Sequence, residues 1–385
     1  MNGKLSEYVK RNYADSKADL FAVFIERCLQ LAKENRYVAM ITQHSWMFIS
    51  SFASLRQRLC NSINIMSMSH LGVGTFEDLN SKVVQSVSFV FQKRIDQNYI
   101  GTYNRLFERN GLYEDNNEKA LWLRTGTHRY YAQQINFHKI PGSPIAYWIS
   151  RRLYDAFENG ILLKELAHPK KGLATTDNSR FLRMWFEISA EQMAIGYKSK
   201  LSALQSGCKW FPLNKGGEFR KWYGNKQYLI NWYDDGHEMK EAIIAHYRGG
   251  SYTKEIRSED KYFQDSITWS ALTTGQTSFR YSDYGALFDS AGSSMFPVEN
   301  LFYLLAFLNS KVSSYILNII NPTLNYGAGS VAAIPILTVS TQEEIEQISY
   351  RNVMLSQSDW DSFETSWDFA RHPLLPIREE QDNDE

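Results

Sequence analysis

The chain has 385 residues with 42 basic and 42 acidic side chains, so a formal net charge of zero gives no argument from total charge for a nucleic-acid partner. The length suffices for two domains and a sizeable core. Three cysteines (Cys28, Cys60 and Cys208), odd in number and too widely spaced for a zinc knuckle, exclude a disulfide scaffold and predict a reducing cytoplasm.

The first predicted element is a helix from Asp19 to Lys33. Its apolar positions Leu20, Phe24, Ile25, Cys28, Leu29, Leu31 and Ala32 follow the helical period, and Asp19 is placed as an N-cap. Tyr37 to Thr42 is a short apolar run that suits a strand buried on both faces of a parallel sheet. Ser51 to Cys60 predicts a second helix, and Ile63–Leu71 and Val83–Phe91 predict two strands around a glycine-containing loop, Gly72 to Lys82. This is an α/β pattern, read as the last third of a Rossmann-like domain, so an unpaired strand edge is expected.

Tyr99 to Asn136, with Asn110-Gly111 and the run Glu114–Glu118, reads as a connector carrying a strand or two, and Ser143 to Phe157 as a helix. Gly172 to Phe181 (GLATTDNSRF) is a polar segment whose hydroxyl and amide side chains suit phosphate contacts; the alternative is a turn with Asp177-Asn178 at its corner. Between Tyr197 and Trp232, seven lysines and arginines face the single acid Glu218 and alternate with aromatic residues. Such a mixture suits a surface that tracks phosphates and stacks on bases, although tryptophan and tyrosine are more often structural. Thr273-Thr274-Gly275-Gln276 is a polar loop in which Gln276 is placed to read an adenine edge. Phe296 to Ile320 forms an amphipathic helical unit stopped by Asn321-Pro322, and Glu379 to Glu385 is an acidic tail. His237 and His246 are nine apart, which fits no common metal-ligand spacing, and neither Gly72-Val-Gly74 nor Gly327-Ala-Gly329 has the third glycine of a phosphate-binding fingerprint. No signal peptide or bilayer-length apolar run stands in the sequence, so a soluble chain is expected.

The strings DLFAVFIERCLQLAKENRYVAMITQHSW, SLRQRL and HLGVGTFEDLNSKVVQSVSFVFQK, continuing through GLATTDNSRFLRMWFE, KWFPLNKGGEFRKWYGN, ITWSALTTGQ and SWDFARHPLL, resemble the PglX-type adenine-specific DNA methyltransferases of BREX phage-defence systems, with type IIG restriction-modification enzymes as cousins. The resemblance implies a partial Rossmann-like methyltransferase sheet followed by an α+β target-recognition domain. The bounds it suggests are 1–95 for the catalytic part, 96–142 for a connector, 143–345 for recognition and 346–385 for a helical or disordered tail.

Members of that family flip adenine out of double-stranded DNA and methylate its exocyclic amine from S-adenosylmethionine. Their Asn-Pro-Pro-Tyr loop is not in this sequence, whose one Asn-Pro pair, Asn321-Pro322, stands in a different context, so no catalytic residue is assigned. The resemblance places the chain after that loop and implies no methylation in isolation, with a missing half or other defence proteins as possible partners. It gives Phe76 the role of stacking on the flipped base and Phe24 that of contacting the cofactor, against the alternative that Phe24 packs its helix on the sheet. DNA contact is implied for Thr175, Thr176, Asp177, Asn178, Arg180, Lys209, Trp210, Lys215, Arg220, Lys221, Trp222, Tyr223, Lys226 and Gln276. The competing expectation is a non-catalytic DNA-binding or specificity module.

Overall fold

A computed structural model describes residues 1–76, 84–108, 113–273, 275–323, 325–337 and 340–375. The expected loop Gly72–Lys82 is therefore described only as far as Phe76, while Asn110-Gly111, Thr274 and the acidic run 379–385 lie outside the described residues. The chain divides into two units, one of residues 1–160 with 318–322 and one of residues 161–317 with 323–385.

The first unit runs α1 (Gly3–Asn12), α2 (Leu20–Leu31), β1 (Tyr37–Gln43), α3 (Ala53–Ser62), β2 (Asn64–Gly72), β3 (Ser86–Gln92), β4 (Ile100–Arg105), α4 (Asn116–Thr125), β5 (Arg129–Gln133) and α5 (Arg151–Asn159). Its sheet has the order β1-β3-β2-β4-β5. The expected parallel sheet is instead mixed: β3 lies antiparallel between β1 and β2, β2 and β4 are parallel, and β5 closes antiparallel on β4. Strands β1 and β2 consequently run in the same direction and end on the same side. Residues 96–142, expected as a connector, supply β4, β5 and α4 of this unit, because the ladder of β2 continues into β4.

Two further expectations are corrected. β1 is an edge strand, and Tyr37 and Ile41 stay 59% and 58% exposed while Val38 and Thr42 are buried, so it is not covered on both faces. In α2 the buried face is Ala22, Val23, Ile25 and Glu26, whereas Phe24 and Leu31 project into solvent. Glu26 is tolerated inside because Arg58 neutralises it through an ion pair. Asp19 occupies the N-cap position, without a capping side-chain bond.

The second unit continues with β6 (Ile161–Leu162), α6 (Leu163–Leu166), α7 (Asn178–Phe181), β7 (Leu182–Met184), α8 (Lys200–Gln205), β8 (Trp210–Asn214), β9 (Tyr228–Asn231), α9 (Tyr233–His246), β10 (Ser266–Trp269), β11 (Phe279–Ser282), β12 (Leu287–Phe288) and β13 (Ser294–Met295). There follow α10 (Leu301–Leu308), α11 (Lys311–Ile320), α12 (Ala328–Ala332), β14 (Pro335–Ile336) and α13 (Gln342–Asp361). Two small sheets, β12-β8-β9-β7 and β11-β10-β13, carry the fold, and β6 and β14 pair as a third, two-stranded one. Phe181, Phe211, Ile230, Met239, Phe263 and Phe288 form its apolar core. The single amphipathic helix expected over Phe296–Ile320 is a pair, α10 and α11, bent by 72°. Among the described residues no single helix is long and apolar enough to cross a membrane.

Candidate target-base groove and recognition surface

At the shared end of β1 and β2 the first unit carries an open groove of about 280 Å³, lined by Phe21, Thr42, Gln43, Thr75, Phe76 and Ser86 among others. The sheet register places it: Gln43, the last residue of β1, pairs with Ser86, the first of β3. Gly72 ends β2 and, like Gly74, takes a left-handed conformation, with φ of 70° and 67°. That backbone turns the chain sharply, and the Thr75 hydroxyl donates to the Gly72 carbonyl at 3.1 Å. Phe76 follows, 47% exposed at the groove wall. Among the described residues no aromatic partner packs on this ring, so half-exposed beside an open groove it is available as a stacking face. Phe21, tilted against Phe52 at 5.7 Å, gives the groove a second aromatic wall.

Phe24 is 55% exposed on α2, one turn after Phe21, and is not among the groove's lining residues. Its ring is therefore more open to solvent than buried against the sheet. Phe21 itself escaped the sequence reading; its spacing of three from Phe24 on a helix was the available signal.

In the second unit the residues expected to touch DNA divide sharply. In the GLATTDNSRF segment Thr175 is buried and donates to Asn178 Oδ1 at 2.6 Å. Asp177 caps α7: it accepts from the Ser179 hydroxyl at 2.7 Å and the Arg180 amide at 3.1 Å, and these bonds hold its carboxyl below the ordinary range. The turn expectation thus describes the backbone here, with Thr176, Asp177 and Asn178 exposed. Arg180, also exposed, is paired with Glu238 at 2.9 Å.

The stretch from Tyr197 to Trp232 is not a continuous cationic surface. Trp210, Tyr223 and Lys226 are buried, and Trp222 is half-buried with its amide bonded to the Phe279 carbonyl at 2.9 Å. Lys226 donates to Tyr223 Oη at 2.9 Å and Asp283 at 2.7 Å; burial opposes its charge, but Asp283 and Tyr223 more than offset this and raise its pKa. Lys215 pairs with Asp289 at 3.3 Å, Arg220 with Asp359 at 3.7 Å, and Lys221 donates to the Asn309 carbonyl at 2.8 Å. The reason is packing: interleaved aromatics enter the core of a small two-sheet fold, and the cations beside them are held by internal partners. Lys209 remains exposed above the Trp210 ring, and Gln276 is exposed on its loop.

The first unit is thus an α/β unit whose mixed sheet carries an aromatic-walled groove where its strands end. Residues 1–76 match the Eco57I restriction-modification methylase family. The chain is 40% identical over 384 residues to the adenine-specific methyltransferase PglX of Lacticaseibacillus casei (strain Zhang), covering 96% of this chain and 31% of that protein. It is 37% identical over 383 residues to the adenine-specific methyltransferase BrxX of Escherichia coli O9:H4 (strain HS), covering 97% and 29%. The chain therefore spans under a third of the length of these curated relatives. Among solved structures, the type IIL restriction-modification enzyme MmeI in complex with DNA has a TM-score of 0.60 at 12% identity, covering 96% of this chain and 49% of that one, a likeness of fold. The resemblance to PglX-type and restriction-modification methyltransferases, and the α/β class with it, is borne out.

Proposed function

We propose that this chain is part of an adenine-specific DNA methyltransferase of a restriction-modification or phage-defence system, contributing the target-base stacking face and the recognition unit. The observation that carries the reading is Phe76, half-exposed at an open groove in a chain that is similar along nearly its whole length to two adenine-specific methyltransferases. Extrusion of a base from the duplex forfeits its stacking, and an aromatic wall replaces what is lost. In this reading the planar ring enters the groove that Phe76 and Phe21 line together with Thr42, Gln43 and Ser86.

S-adenosylmethionine, when bound, supplies the electrophilic methyl group. Phe24, with its ring open to solvent, fits as one apolar wall for that cofactor. The DNA duplex lies on the second unit, where Thr176, Asn178, Arg180, Lys209 and Gln276 offer exposed polar and cationic ends.

Titration of the chain with duplex DNA over a range of salt concentrations tests the reading. Binding that weakens with salt, by about 0.9 in log–log slope per phosphate contacted, supports it. No binding at low salt would refute it.

A further inference from the structure

A second open cleft, of about 510 Å³, lies in the recognition unit between residues 217–219 and the loop that carries Leu272, Thr273, Gly275 and Gln276. Its make-up differs from that of a phosphate-gripping surface. Phe219 and Leu272, on opposite sides, are 55% and 67% exposed, and the polar side chains beside them are Glu218, Thr273 and Gln276.

The backbones under these side chains are fixed. Ser270 Oγ accepts from the Gly217 amide at 3.1 Å and donates to the Gly217 carbonyl at 3.0 Å. Asn225 donates to the Glu218 carbonyl at 2.9 Å, and Thr273 Oγ1 accepts from the Gly275 amide at 3.2 Å. Buried Arg280, which makes no ion pair among the described residues, donates to Ser270 Oγ at 3.4 Å and to the Arg220 carbonyl at 3.3 Å. The heads are left open by contrast. The Glu218 carboxylate and the Gln276 amide carry no hydrogen bond or ion pair among the described residues.

A loop pair that presents, among the described residues, one unpaired carboxylate, one unpaired amide and two apolar side chains matches base edges. A carboxylate accepts from the cytosine N4 amine, an amide pairs with adenine N6 and N7, and apolar side chains meet the thymine methyl. Facing a phosphate backbone, the same carboxylate would repel it. We propose that this cleft reads sequence, with Glu218 and Gln276 as specificity-determining residues, Phe219 and Leu272 as apolar base contacts, and Arg280 as the residue that positions the Glu218 loop through Ser270. The inference rests on the chain's reading as a DNA-binding unit and goes beyond it by assigning the base-reading residues.

Selection of bound sequences from a randomised duplex pool by the chain, in parallel with Glu218→Gln, Gln276→Ala and Phe219→Ala, tests it. These side chains are exposed, and unchanged thermal unfolding confirms the fold of each variant. The expected result is that Glu218→Gln and Gln276→Ala each relax or change the preference at one base pair, by about ten- to a hundredfold, with the salt slope of binding unchanged. The same selected sequence from all variants, or a uniform loss of affinity with an altered salt slope, would overturn the base-reading assignment while leaving DNA binding intact. Absence of DNA binding by the unaltered chain would overturn the underlying reading as well.

Discussion

His44 Nδ1 lies 2.7 Å from His70 Nε2, a hydrogen bond between two enclosed imidazoles. His70 is wholly buried, edge-on to Phe107 at 4.6 Å and stacked with Phe48 at 5.9 Å. Its other nitrogen is 3.4 Å from Tyr147 Oη. Such a bond needs one ring to donate and the other to accept, so it exists only while the pair is short of full protonation. Burial pushes the His44 pKa down to about 4, and burial, then His44 and Arg105, holds His70 well below its ordinary value.

The unfolded chain therefore binds protons that the folded one refuses. Stability is fully present above the unfolded histidine value near 6.5 and falls as pH drops from there toward about 4. Each histidine contributes a slope of up to about 1.4 kcal/mol per pH unit in that window. Urea midpoints measured from pH 7.5 to 4.5 should decline, and His44→Phe, which keeps a ring beside Phe48, should flatten the decline. A midpoint independent of pH would rule out the neutral pair.

Arg56 makes a second prediction because its buried guanidinium serves carbonyls alone. It donates to Trp46 at 2.8 Å, Ile49 at 2.7 Å, Gly142 at 2.6 Å and Ser143 at 3.2 Å, joining segments 86 residues apart in sequence. Arg56→Met should cost about 3 kcal/mol or more by stranding these acceptors, and Arg56→Lys should recover only part, since an ammonium cannot span the fork. Chemical denaturation of both variants measures it; a loss under about 1 kcal/mol for the methionine would mean that water replaces the bonds.

The elements around the groove of the first unit were legible in the sequence, but their faces were not. The apolar run from Tyr37 was recognisable as a strand, yet its place at a sheet edge depends on β3, which returns from 43 residues beyond Gln43 to lie against it. Phe24 fitted the apolar period of α2, but what covers a helix face is settled by packing, and Phe21 turned out to line the groove. The basic residues after Tyr197 were visible as a cluster. Their partners were not, because Asp289 is 74 residues from Lys215 and Asp283 is 57 from Lys226. Local charge counting overestimates a cationic surface wherever such distant acids fold back.

Gly172 opens the GLATTDNSRF segment for a steric reason. A Cβ there would stand 2.0 Å from the Phe288 carbonyl oxygen, a backbone atom that cannot swing aside, while the next amide, of Leu173, donates to that same carbonyl at 3.0 Å. Gly172→Ala should force the segment away from β12 and destabilise the second unit by roughly 1–3 kcal/mol. A calorimetric scan that finds the variant as stable as the parent would contradict the close approach.

The first unit gives the sharpest test of the methyltransferase reading, because Phe76 at the groove wall and Phe24 outside the groove are proposed to carry different duties. On the proposed stacking role, Phe76→Ala should weaken binding of a duplex with 2-aminopurine at the target position by about five- to a hundredfold, the range of base–aromatic stacking. Phe76→Trp, which keeps a π-face, should retain most of it. Phe24→Ala should leave the binding of that duplex unchanged and weaken the binding of S-adenosylmethionine by the protein. Fluorescence of the 2-aminopurine reports the base directly, since its emission rises on leaving the stack. Equal duplex affinity and equal emission for Phe76→Ala and the parent would show that the ring at the groove wall does not receive the base.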